Sequence, residues 1–172
     1  EGGAIVAFRI EGASHEFTTV PGIKEDVVDI MLNLKNVRVK VSTDETVELR
    51  IEKKGAGPIT AADIKTTADV EVINPDQIIA TIDDPKKSVV IDLVVESGRG
   101  YQTIEDSSAN RLHGDMIALD AMFSPVLRVR YKVDSTRVGQ ETNLDKLQVN
   151  VETDGSVSPR EAFEEAAAIL VN

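Results

Sequence analysis

The chain has 172 residues and carries 30 acidic against 19 basic side chains, a formal net charge of −11. A surface this acidic repels a phosphate backbone, and four Phe, two Tyr and no Trp provide no base-stacking platform, so direct nucleic-acid binding is not expected. The absence of cysteine excludes disulfides, thiolate metal sites and a thiol nucleophile, and fits a cytoplasmic setting. No apolar run approaches the roughly 20 residues that span a membrane, so no membrane association is expected.

Residues 4–10 (AIVAFRI) read as a strand, with a turn at Glu11-Gly12. The strand arrives after only Glu1, Gly2 and Gly3, a start abrupt enough to expect further chain upstream. Residues 15–35 (HEFTTVPGIKEDVVDIMLNLK) carry the strongest helix signal. Thr18 and Thr19 offer N-cap hydroxyls, Pro21 suits a first turn, and Glu25 and Asp26 place negative charge where the macrodipole favours it. Val27, Ile30, Met31 and Leu34 then form one apolar stripe at helical period, and Lys35 and Asn36 suit its exit. Val37–Val41 and Val47–Ile51 alternate as half-buried strands, with Ser42–Thr46 as a hairpin loop between them.

The segment Lys53–Asp63 is punctuated by Gly55, Gly57 and Pro58 and reads as a loop, with one helical turn at Thr60–Asp63. Its spacing matches no phosphate-binding glycine motif. Val70–Ile73 and Ile78–Ile82 are strands around an Asn74-Pro75-Asp76 turn, and Ser88–Val95 is another strand after a solvated turn at Asp83-Asp84. Gly98-Arg99-Gly100 implies a tight bend or a close backbone approach. Residues 104–114 read as a polar loop, and 116–126 as a return to structure. Leu127–Val133 alternates, with Arg128, Arg130 and Lys132 on one face. A turn at Thr142–Lys146 leads into a strand at Leu147–Thr153. Ser158-Pro159-Arg160-Glu161 then opens an alanine-rich helix with a capping box.

No catalytic constellation emerges. His15 and His113 lack metal-ligand spacing, no serine sits in a nucleophile elbow, and the carboxylates do not cluster, so neither metal nor cofactor is expected. One alternative from another class is a small acidic α+β ligand-binding or hydrolytic domain built on the Gly55–Pro58 loop.

The stretch at 15–35, together with 55–64 (GAGPITAADI), 70–82 (VEVINPDQIIATI), 96–101 (ESGRGY), 123–133 (FSPVLRVRYKV) and 136–170, resembles the alpha subunit of bacterial DNA-directed RNA polymerase, in its amino-terminal assembly domain. The resemblance implies an α+β fold: an inserted mixed α/β subdomain that docks the large subunits (1–122), and the returning part of an incomplete α+β dimerisation subdomain (123–172). It implies a non-catalytic scaffold that forms a homodimer and nucleates assembly of the beta and beta-prime subunits, the nucleotidyltransferase chemistry residing in beta-prime. Positions resembling subunit-contact residues are Asp29 and Lys35 in the helix, Leu119, Asp120 and Ser124 at the return, and Lys146. Each has a local role open to it as well: Lys35 could cap its helix, Asp120 the turn before Ser124-Pro125, and Lys146 could pair with Asp145 or Glu141. The family's first strand and main dimerisation helix would precede Glu1, and its carboxy-terminal DNA-binding domain would follow Asn172. Dimerisation by this stretch alone is therefore not expected.

Overall fold

The computed structural model describes residues 1–13, 15, 17–104 and 115–172. It divides into two compact units, Glu1–Ser124 and Pro125–Asn172, in an α+β architecture dominated by antiparallel strands.

In the first unit β1 (Gly2–Ile10) is followed by α1 (Val27–Lys35), β2 (Val39–Val41), β3 (Val47–Lys54), β4 (Gly57–Thr60), a 3-10 turn (Ala61–Asp63), β5 (Ile64–Lys65), β6 (Val70–Val72), β7 (Ile78–Ile82), β8 (Ser88–Gly98), β9 (Tyr101–Gln102), β10 (Ile117–Ala118) and β11 (Ala121–Met122). One sheet runs β5-β3-β8-β1-β2-β6 with β10 beside β1; β4 pairs with β7, and β9 with β11. The strip at the centre is β1 against β8, in register from Gly2↔Gly98 to Ile10↔Ile91.

The core follows from alternation along these strands. Ile5, Phe8 and Ile10 of β1, Leu49 and Ile51 of β3, and Ile91, Leu93 and Val95 of β8 form one buried cluster with Val27, Ile30 and Leu34 of α1 and Ile79 and Ile82 of β7. The sheet's opposite side holds a smaller cluster of Ala4, Val6, Ala7, Val94, Ala121 and Phe123. There Gly98 lets the backbone pass under the Phe123 ring, where a Cβ would lie 2.9 Å from ring carbons, and Gly100 turns the chain at φ +64. Both meanings of the Gly98-Arg99-Gly100 pattern, close approach and tight bend, are realised.

Several local expectations are corrected. The helix is shorter at its start than the 15–35 signal suggests: Asp26 is the N-cap, accepting from the Asp29 amide at 2.8 Å. Pro21-Gly22 instead makes a turn closed by Ile23 N–H to the Val20 carbonyl at 3.2 Å. Gly22 at φ +85 fits the third position of a type II turn, and no right-handed helix passes through that conformation. Glu25 serves another element altogether, accepting from the Thr81 amide at 2.6 Å and its hydroxyl at 2.9 Å, and so laces the turn to β7. Asn36 stays right-handed at φ −87, and its carbonyl accepts from the Asn74 side chain at 2.8 Å.

β2 and β3 do not form a hairpin. β2 pairs with β1 and β6, while β3 pairs with β5 and β8, so Ser42–Thr46 carries the chain across the sheet, tied down by Ser97 Oγ donating to the Thr43 carbonyl at 3.1 Å. The expected glycine loop is largely a strand, with Gly57↔Ile82 and Pro58↔Thr81 in register; the expected helical turn survives as the 3-10 turn, boxed by Thr60 and Asp63. Of the polar loop expected at 104–114, residues 105–114 and with them His113 lie outside the described residues.

In the second unit β12 (Val126–Val138) and β13 (Glu141–Thr153) form a long hairpin, turned by Gly139 at φ +60, and α2 (Pro159–Val171) follows. The strand therefore begins at Glu141 and runs straight through Thr142–Lys146, the stretch read as a turn. Val129↔Val151, Tyr131↔Val149 and Val133↔Leu147 put apolar pairs on one face, and Arg128↔Glu152, Arg130↔Asn150 and Lys132↔Gln148 put polar pairs on the other. The capping box of α2 forms as expected, Ser158 Oγ accepting from the Glu161 amide at 3.1 Å and Glu161 from the Ser158 amide at 2.9 Å.

The first sheet's polar side is laced by charge. Lys65 meets Glu52 at 3.0 Å, Arg50 meets Glu52 at 3.6 Å and Asp92 at 2.8 Å, and Arg9 bridges Asp92 to Asp115, the last at 2.9 Å. Burial alone would raise the Asp92 carboxyl, but hydrogen bonds from Arg9 and Arg50 outweigh it and hold the group below the ordinary carboxylate range.

Two outcomes follow. Gly98→Ala is expected to destabilise the first unit by about 1–3 kcal/mol through overpacking, and Phe123→Leu in the same chain to return part of that loss, measured by denaturant unfolding. Because the folded Asp92 carboxyl is depressed, its contribution is present above the ordinary carboxylate pKa and disappears as pH falls through the lower folded value. Asp92→Asn is accordingly expected to lower the melting temperature at neutral pH, the gap to wild type closing towards strongly acidic pH.

Candidate functional site

Helix α1 brings one set of candidate residues to the surface. Its buried stripe of Val27, Ile30 and Leu34 points the remaining faces outward, leaving Asp29 exposed, with Val28 38% and Leu32 54% exposed. Lys35 ends the helix, where its charge suits the carbonyl end of the macrodipole. Its ammonium lies 3.9 Å from Asp120 Oδ2, both side chains about one-third exposed (36% and 31%). Two segments separated by most of the unit's sequence are thus joined at one charged spot.

Asp120 does more than pair with Lys35. It accepts from the Ile104 amide at 2.9 Å, and it hydrogen-bonds the Tyr101 hydroxyl, which raises that phenol above its ordinary value. Asp120 is thereby tied to α1 and to the Gly98–Gln102 bend and the residues just after it. Around this hub Tyr101 is 57% and Met122 48% exposed. The result is a patch mixing aromatic, aliphatic and charged groups, with a carboxylate held in place by three groups from two segments. Such a patch suits recognition of a broad partner surface.

Leu119 lies directly beneath the patch. At 1% exposure, with its amide on the Val6 carbonyl at 2.8 Å, its side chain packs in the main core and supports its neighbours from below. Ser124 is half-buried at the end of the first unit. Lys146 belongs to the second unit, exposed on β13 opposite Asp134. The structure therefore gathers Lys35 and Asp120, keeps Asp29 on the same helix, and leaves Lys146 on the other unit. Sequence reasoning missed Tyr101 as a partner of Asp120, although the GRGY motif flagged the place. It also missed Arg9, whose charge inside an otherwise apolar strand was the available signal.

In the second unit the apolar face of the hairpin is only partly covered. Pro159 and Phe163 of α2 reach Leu147, Val149 and Val151 of β13. On β12, Val129 and Val133 are each 53% and Tyr131 75% exposed, and at the end of α2 Leu170 is 87% exposed. A two-stranded hairpin with so much apolar surface in water is marginal by itself.

The Gly55–Pro58 alternative loses its loop, since Gly57 and Pro58 are committed to the β4–β7 ladder and the Gly55 amide to the Lys87 carbonyl at 3.0 Å. Among the described residues no group of three or more His, Asp or Glu side chains converges as metal ligands would, and no helix is long and apolar enough to cross a membrane.

Comparison with known proteins agrees with this architecture. The sequence profile of the RNA polymerase Rpb3/RpoA insert domain matches residues 7–124. DNA-directed RNA polymerase subunit alpha of Rhodopirellula baltica is 48% identical over 98% of this chain and 51% of its own length. The subunit so named from Heliobacterium modesticaldum is 47% identical over 98% of this chain and 53% of its own length, and that from Beutenbergia cavernae 48% identical over 99% and 50%. The chain spans about half the length of these curated relatives. With a profile covering most of its first unit and relatives aligned across both, the chain belongs to the family of RNA polymerase alpha subunits that carry the Rpb3/RpoA insert domain.

Proposed function

We propose that this chain is the assembly portion of a DNA-directed RNA polymerase alpha subunit, a scaffold that joins a second alpha copy and receives the beta and beta-prime subunits. It works by surface complementarity and leaves the nucleotidyl-transfer chemistry to its partners. The observation that carries the reading is the Lys35–Asp120 spot, where two positions that the resemblance implies as subunit contacts, 85 residues apart in the chain, meet on one partly exposed patch. Broad docking of this kind relies on an apolar centre with charged groups that give register and encounter rate. Val28, Leu32 and Tyr101 provide the apolar part here, and Asp29, Lys35 and Asp120 the charge.

Residues 1–122 are the docking side in this reading, with Leu119 as their buried support and Ser124 just beyond, at the end of the first unit. The second unit is the self-association side: the open faces of β12 and α2 supply the apolar area that obligate interfaces bury. Lys146, exposed among polar neighbours on β13, is a rim contact to a large subunit.

Lys35→Glu in the complete polypeptide is expected to weaken binding of purified beta subunit about tenfold, mainly through a slower association rate, because it reverses a rim charge and repels Asp120. Size-exclusion chromatography with light scattering and surface-based kinetics check this; unchanged binding by Lys35→Glu removes the docking spot from the proposal. A segment of residues 125–172 alone is expected to give a disordered circular-dichroism spectrum at neutral pH, since its hairpin cannot bury its apolar face unaided. A cooperatively folding monomeric segment would count against the self-association role.

A further inference from the structure

Arg9 interrupts the apolar run of β1, between Phe8 and Ile10, which are 0% and 1% exposed. Were β1 to alternate without interruption from Ile5, Ala7 and Arg9 would share the side of Ile5, inside the main core, and Phe8 and Ile10 would face away. A bulge between Ile5 and Ala7 shifts the phase by one residue. Val6 and Ala7 consequently both join the smaller cluster, while Phe8 and Ile10 return to the larger one. Arg9 is thereby turned out of the core to the side on which Asp92 lies.

From that side the guanidinium makes hydrogen bonds to two carboxylates from distant segments. Nε, at 3.2 Å, and Nη2 donate to Asp92 of β8, and Nη1 donates to Asp115 at 2.9 Å. Asp92 is only 17% exposed and is braced from its other oxygen by Arg50 Nε at 2.8 Å. Asp115 begins the segment that carries Leu119 and Asp120. The ladder of that segment to β1 comprises Ala7↔Ala118 and Phe8↔Ile117. Extending the antiparallel register sets Met116 opposite Arg9 and Asp115 one residue further along, just before β10 begins, within reach of the long arginine side chain.

The geometry points to Arg9 as a positioning residue for subunit docking: by bridging Asp92 to Asp115 it holds the segment Asp115–Met122 on the sheet so that Asp120 is presented beside Lys35. This rests on the docking surface proposed above. Ile117 and Leu119 in the main core, and Ala121 in the smaller cluster, set the segment's depth. Apolar contact is non-directional, however, and leaves the angle of a short two-pair ladder loosely determined. A planar guanidinium forked between two carboxylates is directional, which a lysine ammonium is not.

Hydrogen exchange and beta-subunit binding, both measured on the complete polypeptide, test the inference. Arg9→Met and Asp115→Asn are expected to speed amide exchange across 116–122 several-fold while α1 and β7 keep their protection, and to weaken beta binding by about three- to tenfold. Arg50→Met removes a donor from Asp92 but leaves the Arg9–Asp115 bridge, and is expected to keep wild-type exchange at 116–122. Arg9→Lys is expected to fall between wild type and Arg9→Met. Unchanged exchange in Asp115→Asn, a substitution at a side chain 61% exposed that poses little risk to folding, overturns the inference. Equal acceleration in Arg50→Met overturns it too, by marking a diffuse charge effect. Faster exchange with undiminished beta binding also overturns the docking role of Arg9. Lys35→Glu measured alongside then separates the two readings: if it still weakens binding only the Arg9 role falls, and if it does not the docking surface falls as well.

Discussion

The pairing of β1 with β8 is the constraint on which the first unit depends. It joins residues 81 to 96 positions apart in register from Gly2↔Gly98 to Ile10↔Ile91, and every other strand of the main sheet is placed relative to it. Closing so long a loop costs conformational entropy before any contact is made. The return comes from apolar burial on both sides of the strip, with Phe8, Ile10, Ile91 and Leu93 on one side and Val6, Ala7 and Val94 on the other. A central strip buried on both faces explains the near-continuous apolar stretches at 4–10 and 89–95, in contrast to the strict alternation of β3.

Around that strip the chain is fastened by side chains that reach across sequence. Glu25 laces the turn before α1 to Thr81, Asn74 takes the carbonyl left open behind α1, and Asp120 collects Lys35, Tyr101 and the Ile104 amide. Each is a polar group satisfied by another segment, and each limits how a neighbouring element can tilt. The exposed patch of the first unit lies where these ties converge with α1. Its charged groups therefore come pre-positioned, which lowers the ordering cost of meeting a partner.

The second unit is organised on the opposite principle. Its hairpin and helix are locally well specified, by cross-strand apolar pairs, a glycine turn and a capping box, yet every side chain of α2 remains partly or wholly exposed. Local signals form its elements, and burial against something further must stabilise them. The first unit buries a core of its own and the second presents one half of a core. That division suits a scaffold that both folds and assembles.

What was legible from the sequence was what short-range physics controls. The strands at 47–51, 78–82 and 127–133, the apolar stripe of α1, the capping box at Ser158 and the bend at Gly98–Gly100 all depend on residues a few positions apart, and all are present. The recurrence of long motifs also carried the family and its α+β class. The start of α1 was misjudged because Pro21-Gly22 satisfies helix and turn rules alike, and the choice is made by the bridge of Ile23 to Ile82 and by Glu25 on Thr81. The supposed hairpin of β2 and β3 failed for a related reason: alternation defines the two faces of a strand but not its neighbours. Arg9 shows the limit most sharply, since a bulge one residue long decides whether its charge would enter the core or meet Asp92 and Asp115. Such choices are settled by non-local pairing, where the energy that selects one arrangement belongs to residues far away in the chain.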